Sequence, residues 1–290
     1  MFDTHCHLNF KAFAGRVKEV ITNANKAGIT SIVIPGTDIE SSIKAVNIAE
    51  KHDGVYAAVG IHPHHVFQIN QRAENGKNQS SEFSRLSSDL SEIEKLITNS
   101  KVVAIGEVGV DRHYYNKTKY PNYQIDESFM DLQKEFLRQQ IELAVKNKKS
   151  IIFHNREAKK DFLKMLTDYR SLITDNRCVF HCCEPDQELL DFATRFKIFI
   201  GVDGDVTYRK DKEEFIKKVP LELLVLETDS PFLLPRPRQD FGRQAIQLKF
   251  PNEPENLQLI ANFIAETIGI NFEELANITE ENSRKLFQIY

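Results

Sequence analysis

Short runs of β-branched and aliphatic residues recur along this chain, and stretches with helical periodicity lie between them. The predicted strands are Met1–His7, Ser31–Pro35, Val55–Gly60, Val102–Glu107, Ser150–His154, Cys178–His181, Ile198–Gly201 and Leu223–Glu227. Alternation of strands with helices favours a parallel sheet, and eight such units favour closure into a TIM-type barrel. We therefore expect an α/β fold in which residues 1–290 form a single domain, with a doubly wound open sheet as the alternative.

Several helices are predicted from apolar residues that recur on one face. They are a segment within Phe129–Ala144, a segment at Leu189–Phe196, a segment at Asp89–Ile97, and two final helices, one over Leu257–Ile268 and one beginning near Thr279. Pro185 is expected in the first turn of its helix, where no amide N–H is needed. Thr279 is expected to cap the last helix, with Glu280 and Glu281 in its first turn.

Two connections are longer than the packing of the strands requires. The segment Gln68–Ser100 is polar, and Asp111–Asp126 contains four tyrosines with little regular pattern. Both follow predicted strands, so in a parallel barrel both lie on the face where active sites form.

Composition and charge exclude some classes of protein. A net charge of −4 argues against the broad basic face of an architectural DNA-binding protein, so a nucleic-acid substrate would be gripped locally. No apolar run reaches the length of a membrane span, and the N-terminus lacks the features of a signal peptide. We therefore expect a cytoplasmic protein with no membrane partner.

Residues that commonly bind metals stand at or just past the ends of five predicted strands. They are His7, Glu107, His154, His181 and Asp229. Because the carboxyl ends of parallel strands lie at one rim of a barrel, these side chains should converge although they are spread over most of the chain. Imidazole and carboxylate groups hold zinc, manganese or magnesium, so the sequence predicts a metal site at this rim.

His5 and His7 add an argument from spacing. Side chains alternate along a strand, so both imidazoles would share one face while Cys6 takes the other. Two imidazoles about 6–7 Å apart along a strand can chelate one ion. Taken alone, such a pair is more often accidental, and the other strand-end ligands make it informative.

Glu107 and Asp229 are the candidate catalytic residues. Glu107 stands between two glycines, which let other groups approach closely, so its carboxylate can bridge two cations. Asp229 follows an apolar strand and can both bind a metal and take the proton of an attacking water. For Asp229 alone, a turn cap before Pro231 is the competing interpretation.

A second group of polar residues is interpreted as substrate-binding. Arg156 lies two residues beyond His154, where its guanidinium can bind a phosphate oxygen through two hydrogen bonds. His62 and His64 follow the third strand at the same rim, although ordinary exposed histidines explain them equally well. Four further basic residues follow the last strand, where barrels often bind phosphate, and a solvated loop is the alternative for each. They are Arg236, Arg238, Arg243 and Lys249.

Six short motifs, in their order along the chain, resemble those of the TatD family. They are His5-Cys6-His7-Leu8, Gly60-Ile61-His62-Pro63-His64, Ile105-Gly106-Glu107-Val108-Gly109-Val110-Asp111, Phe153-His154-Asn155-Arg156-Glu157-Ala158, Phe180-His181-Cys182 and Glu227-Thr228-Asp229-Ser230-Pro231-Phe232-Leu233. Asn252-Glu253-Pro254 is similar to the family's C-terminal signature. The resemblance runs from residue 3 to about residue 285; one motif is weak, and six in order are specific.

The resemblance implies a distorted TIM (β/α)8 barrel of the amidohydrolase superfamily that hydrolyses DNA, commonly as a 3′-to-5′ exonuclease. It also implies a site for two divalent metal cations, Mg, Mn or Zn. The implied ligands are His5, His7, Glu107 and Asp229 for one metal, and Glu107, His154 and His181 for the other. Glu107 would bridge the two. The expected partner is DNA, at single-stranded ends, and the expected state is a monomer.

This sequence departs from the family pattern at a few positions. Asn155 stands where the family often has serine or cysteine, and Cys183 where it often has phenylalanine, and neither is a predicted ligand. The segments Gln68–Ser100 and Asp111–Asp126 look longer than is usual in the family. Because they would border the site, they bear on the choice of substrate.

Two other functions are compatible with these residues. A related hydrolase could cleave an ester or amide, such as a D-aminoacyl-tRNA or a small metabolite. Many such enzymes bridge their ions with a carbamylated lysine, whereas the fourth strand here ends in Glu107, which favours the nuclease. A non-catalytic binding barrel would give no reason for five ligand-type residues at strand ends.

Overall fold

The eight predicted strands form one parallel sheet in the computed structural model of the chain. The structure describes residues 1–67, 80–173, 177–236 and 248–290, with the backbone alone described over 80–88. The strands are β1 (Phe2–Asp3), β2 (Ser31–Pro35), β3 (Val55–Val59), β4 (Val102–Asp111), β5 (Ser150–Arg156), β6 (Cys178–Phe180), β7 (Phe199–Val202) and β8 (Leu224–Leu226). Their order in the sheet is their order in the sequence. A doubly wound sheet reverses its order part-way, so that alternative is excluded.

Contacts between the first and last strand segments close this sheet. The Thr4 N–H donates a hydrogen bond to the Leu226 carbonyl at 3.1 Å. Further along, Cys6 and Ser230 form a parallel bridge. The sheet is therefore a nearly closed barrel, and the predicted TIM-type fold is confirmed.

The first strand is shorter than predicted. β1 ends at Asp3, not at His7. Beyond β1, the Asp3 carboxylate accepts a hydrogen bond from the His5 N–H at 3.2 Å, a local side-chain contact in place of strand pairing. The two histidines of the first motif therefore lie beyond the strand, on either side of the residue that bridges to Ser230.

The fourth strand is longer than predicted. β4 continues past Glu107 to Asp111, and its register with β5 shifts between Ile105 and Val108. A register shift of this kind re-aims the side chains beside it. Glu107 lies inside the shifted stretch.

One apolar layer fills the amino-terminal part of the barrel, with one side chain from each strand and two from the last helix. Its members are Phe2, Val33, Ala58, Ala104, Ile152, Val179, Phe199, Val225, Leu286 and Phe287. Side chains two residues further along a strand point the same way. On β5, just after β6 and just after β8, the inward positions beyond this layer belong to His154, His181 and Glu227. The layer is thus the floor of a polar site at the carboxyl rim.

Helices cover the outer face of the barrel, where their apolar faces meet outward side chains of the strands. The helices used below are α1 (Val17–Lys26), α2 (Ile39–Ala49), α3 (Ser80–Ile97), α4 (Glu127–Lys146), α5 (Lys159–Asp168), α6 (Gln187–Phe196), α7 (Lys210–Ile216), α8 (Leu257–Ile268) and α9 (Phe272–Phe287). α8 matches its prediction, and α3 begins earlier than the predicted Asp89. Residues 68–79 of the long connection before β4 lie outside the described residues. In the described part of the chain, no helix is both long and apolar enough to cross a membrane.

The predicted start of the last helix at Thr279 is wrong. α9 begins at Phe272, and the side chain of Asn271 accepts hydrogen bonds from two N–H groups of the first turn, at 2.7 and 3.4 Å. Thr279 lies in the middle of the helix, where its hydroxyl donates to the Leu275 carbonyl at 2.8 Å. A threonine followed by two glutamates imitates a helix start, and only the backbone distinguishes the two cases.

The predicted position of Pro185 is also wrong. Asp186 caps α6, and its carboxylate accepts hydrogen bonds from the Glu188 and Leu189 N–H groups at 2.9 and 3.2 Å. Pro185 therefore precedes the cap and lies outside the first turn. A carboxylate satisfies the free N–H groups of a helix start, which proline cannot do.

Replacing Asn271 by alanine removes the capping acceptor of α9. We expect the free energy of unfolding to fall by about 1 kcal/mol, and Tm to fall by about 2 °C in a scanning calorimeter. Asn271→Asp keeps an acceptor at the same place and is the matched control. Equal Tm values for the alanine and aspartate variants would contradict this start of the helix.

Candidate metal centre

The predicted metal ligands meet in one cluster at the carboxyl rim. They are His5, His7, Glu107, His154, His181 and Asp229. Within the described residues, four groups of three histidine, aspartate or glutamate side chains have ligand atoms within 4.8 Å of one another, and these groups include all six. The strand ends therefore bring together side chains that are far apart in sequence.

The first donor group surrounds the facing imidazoles of His5 and His7. Their Nε2 atoms lie 3.1 Å apart. Glu107 Oε2 lies 3.5 Å from the first and 3.7 Å from the second. Asp229 Oδ1 lies 3.8 Å and 3.6 Å from the same two nitrogens. Four donor atoms from three parts of the chain thus enclose one small space.

The other oxygen of Glu107 faces a second donor group. Glu107 Oε1 lies 2.6 Å from His154 Nδ1, 3.5 Å from His62 Nε2 and 3.7 Å from His181 Nε2. The opposite nitrogen of His154, Nε2, lies 3.3 Å from Asp111 Oδ2. One carboxylate therefore divides its two oxygens between two sets of imidazoles.

The first donor group fits a divalent cation. Bonds of about 2.0–2.1 Å from zinc to imidazole nitrogen put neighbouring donors of a tetrahedral site about 3.3 Å apart. The separations described above run from 3.1 to 3.8 Å. Both imidazoles are buried, and a cation between their facing lone pairs would satisfy both. Residue types and spacing are thus those of a metal site.

Burial keeps the imidazoles of the first group neutral. It lowers the pKa of His5, and the nearby His181 adds to the effect. It lowers the pKa of His7 well below the usual value, with a further contribution from His5. A neutral imidazole retains the lone pair that metal binding requires.

Facing carboxylates raise the pKa values of His181 and His154. Burial acts to lower the pKa of His181, but Glu227 and Glu107 outweigh it and raise the pKa to about 10. Hydrogen bonds to Asp111 and Glu107 likewise overcome burial at His154 and raise its pKa to about 9. Positive charge is therefore stabilised on this side of the cluster.

The two candidate catalytic carboxylates respond differently to burial. Burial acts to raise the pKa of Glu107, but the imidazoles of His62 and His181 overcome it and hold the pKa well below its usual value. At Asp229 burial prevails over the nearby His181, and the charge of Glu107 adds to it, so the pKa rises well above its usual value. Asp229 is therefore the carboxylate of this pair that takes up a proton more readily.

Sequence reasoning missed two buried carboxylates that orient the histidines. Glu227 Oε1 lies 3.0 Å from His181 Nδ1. Asp111, beside His154, also accepts a hydrogen bond from the Tyr115 hydroxyl at 2.7 Å. Glu227 lies two residues before the predicted ligand Asp229, and Asp111 lies four residues after the predicted ligand Glu107. Alternation of side chains along a strand is the signal that would have found them.

A turn after β8 aims Asp229 into the cluster. Asp229 has a φ of 48°, and its N–H donates to the His5 carbonyl at 2.9 Å. Asn252 is fully buried, and its side chain donates to the Thr228 carbonyl at 3.0 Å. Its N–H donates to the Pro231 carbonyl, also at 3.0 Å. The C-terminal motif that contains Asn252 therefore holds the turn that carries Asp229.

The three predicted substrate-binding residues lie at different depths. His62 is buried in the second donor group, 3.5 Å from Glu107. His64 Nε2 lies 3.0 Å from Thr118 Oγ1. Arg156 is exposed, and its guanidinium lies over the ring of Tyr115 at 5.5 Å. His64 is half-buried, and Arg156 is the most exposed of the three.

The connection that follows β4 packs over the histidines that follow β3. The His64 ring lies within 5.2 Å of three of its tyrosine rings, measured between centroids. Tyr120 and His65 approach to 2.6 Å between the hydroxyl and Nδ1, and Lys119 Nζ lies 3.5 Å from Asp38. As its position in the sequence predicted, this loop borders the site.

The basic residues after β8 are only partly within the described chain. Arg238 and Arg243 lie outside the described residues. The guanidinium of Arg236 lies over the ring of Tyr208 at 4.5 Å. Arg236 is thus paired with an aromatic ring of the neighbouring connection.

Known proteins resemble this chain over its whole length. The family model described as TatD related DNase matches residues 2–288. An uncharacterized metal-dependent hydrolase of Bacillus subtilis, YabD, is 34% identical over 291 residues, covering 100% of this chain and 99% of the relative. A protein of Edwardsiella piscicida named 3′-5′ ssDNA/RNA exonuclease TatD is 28% identical over 295 residues, covering 100% of both. The crystal structure of YjjV, a TatD homologue from Escherichia coli K12, shares the fold, with a TM-score of 0.78 and 24% identity over 100% of this chain and 98% of that one.

Replacing Glu227 by glutamine removes the charged group beside His181. We expect the affinity for Zn²⁺ or Mn²⁺, measured by isothermal titration calorimetry, to fall about 10- to 100-fold, because the ligand loses its orienting partner. Glu222→Gln, at an exposed position just before β8, is the matched control. Unchanged affinity in the Glu227→Gln protein would show that His181 needs no such partner.

Proposed function

This chain belongs to the family of TatD-related DNases, and on that basis we propose that it removes nucleotides from single-stranded DNA ends in the 3′-to-5′ direction. Metal-dependent hydrolysis is the general chemistry of its full-length relatives, as in the hydrolase of Bacillus subtilis. The relative from Edwardsiella piscicida, named as a 3′-5′ ssDNA/RNA exonuclease, supports the choice of a nucleic-acid end as substrate.

The position of Glu107 carries the proposal. Its Oε2 atom faces the first donor group and its Oε1 atom faces the second. In this proposal Glu107 is shared by two divalent cations, Mg, Mn or Zn. The remaining ligands are His5, His7 and Asp229 for one cation, and His154 and His181 for the other. Two cations that share a ligand would suit a phosphodiesterase, because paired cations stabilise both the attacking and the leaving oxygens of the displacement.

The chain's own carboxylates would position the attacking water. Bound cations would supply Lewis-acid stabilisation of the charge that develops on the phosphoryl oxygens. Asp229, held by its turn at the edge of the first donor group, holds the water and accepts its proton. Asp111 and Glu227 keep two of the histidines in a fixed orientation.

Arg156 and His62 are proposed to hold the scissile phosphate. The guanidinium of Arg156 is exposed at the rim and can donate two parallel hydrogen bonds to phosphate oxygens. His62 lies at the second donor group and can provide a further contact. His62 is preferred to His64 for this role, because Nε2 of His64 already contacts Thr118.

Digestion of end-labelled DNA tests this function. We expect the purified protein with Mn²⁺ or Mg²⁺ to shorten 5′-labelled single-stranded DNA stepwise from its 3′ end, and EDTA to stop the reaction. Release of an amine or acid from an aminoacyl-tRNA, without release of nucleotides from DNA, would point to the rival ester or amide hydrolase. DNA that stays intact while calorimetry shows bound metal would refute the proposal.

Loss of the shared carboxylate should abolish the reaction. Glu107→Gln keeps the size of the side chain and removes the charge, so we expect turnover to fall at least about 1000-fold. Glu157→Gln, at an exposed glutamate that pairs with His113, is the matched control. Normal turnover in the Glu107→Gln protein would rule out a shared ligand.

A further inference from the structure

Exposed aromatic side chains gather at the rim that carries the ligand cluster. Among the described residues, the large apolar side chains exposed in the connections after β4, β7 and β8 are Tyr114, Tyr208, Phe232 and Phe250. The exposed apolar side chains on or just after the outer helices are aliphatic, namely Ile43, Val145 and Leu172. Tyr290, at the last position, is the exposed aromatic residue of the described chain that lies away from the rim. A ring offers a flat face for stacking that an aliphatic side chain lacks. This rim therefore presents rings to a ligand that enters it.

Phe232 is the ring of this set that contacts a proposed metal ligand. Its centroid lies 6.5 Å from that of His7 and 6.2 Å from that of Phe10, with interplanar angles of 70° and 74°. Phe10 itself stacks on His7 at 4.3 Å. Even so, 46% of Phe232 remains exposed. One part of the Phe232 ring is packed beside His7, and the rest faces the solvent.

Backbone contacts fix Phe232 in place. Its N–H donates to the Asp229 carbonyl at 2.9 Å, so the ring belongs to the turn that carries Asp229. Asn252 anchors the residues on both sides of it, with hydrogen bonds to the carbonyls of Pro231 at 3.0 Å and Leu233 at 3.5 Å. A ring that is already fixed loses little freedom when a ligand stacks on it.

A second ring and a cation lie further along the same segment. The guanidinium of Arg236 lies 4.5 Å from the ring centroid of Tyr208, and the backbone N–H of Arg236 donates to Thr207 Oγ1 at 2.7 Å. Rings interleaved with cations form the tracks on which proteins bind single-stranded nucleic acid. The segment after β8 thus exposes Phe232 and Arg236, and Tyr208 of the neighbouring connection lies beside Arg236.

We propose that Phe232 stacks on a nucleobase at the scissile phosphodiester, so that stacking and not base-specific hydrogen bonding holds the DNA end. This inference rests on the proposed function and names the contact that positions its substrate. A phosphate at the donor groups brings the adjoining base to the neighbouring surface, where the free face of Phe232 lies beside His7. Every base has a π-face, so such a site accepts any sequence.

Two substitutions of the ring test the stacking. Phe232→Leu keeps an apolar side chain without an aromatic face, and Phe232→Trp keeps an aromatic face. We expect kcat/KM on an oligothymidylate to fall about tenfold in the leucine variant and to stay within about twofold of wild type in the tryptophan variant. The Kd of the oligonucleotide, measured by fluorescence anisotropy with Ca²⁺ as the only divalent cation, should rise about tenfold in the leucine variant and stay unchanged in the tryptophan variant. A tryptophan variant with the same kcat/KM or the same Kd as the leucine variant would overturn the proposal.

Removing the base from the substrate tests the partner of the ring. When an abasic tetrahydrofuran analogue replaces each of the two 3′-terminal nucleosides, the kcat/KM of wild type should fall about tenfold. The kcat/KM of Phe232→Leu should be the same on this base-free DNA as on intact DNA. An equal effect of Phe232→Leu on intact and base-free DNA would overturn the stacking and leave the nuclease function standing. Wild-type protein that cuts neither substrate would overturn both.

Two controls separate stacking from a structural role of the ring. Tyr290→Leu removes a ring that is 99% exposed at the end of the chain, and its kcat/KM should equal that of wild type. Metal affinity of Phe232→Leu, measured by calorimetry, should also equal that of wild type. A tenfold loss of metal affinity would instead assign the ring to holding His7, and the stacking proposal would fail.

Discussion

A buried carboxylate between two sets of imidazoles is the interaction on which the rest of the site depends. Glu107 is 4% exposed, and a charge at that depth is strongly disfavoured unless opposite charges face it. The barrel supplies them, because the ends of β5 and β6 deliver His154 and His181. Each of these groups is held in place by a contact away from the centre. The cluster is therefore preorganised for cations that would replace its protons.

The fold supports this cluster from below and from the side. The layer of one apolar side chain per strand forms a floor, and the next inward positions on β5, after β6 and after β8 are polar. A Cβ on Gly201 would lie 2.6 Å from the carboxylate of Glu227, so the absence of a side chain there leaves room for the group that orients His181. The turn that aims Asp229 also fixes Phe232, because Asn252 anchors both. The proposed water activation and the proposed contact with the base thus share one structural support.

Much of the fold was predictable from the sequence, because strand–helix alternation and strand ends are local patterns. β2 matches its prediction residue for residue, and convergence of the ligands follows from a parallel barrel alone. The start of α9 was missed although Asn271, followed by Glu273 and Glu274, is a helix-start pattern, because Thr279 with Glu280 and Glu281 repeats that pattern further along. The division of Glu107 between two donor groups, and the orienting roles of Glu227 and Asp111, depend on contacts between distant segments. Alternation along a strand marks such residues as inward-facing, but their partners appear only in three dimensions.

Anomalous diffraction from crystals grown with Mn²⁺ would show directly whether two cations share Glu107. We expect two anomalous peaks on either side of Glu107, with Oε2 bound to the ion near His5 and His7 and Oε1 bound to the ion near His154 and His181. A single peak, or both oxygens of Glu107 bound to the same ion, would rule out a shared carboxylate.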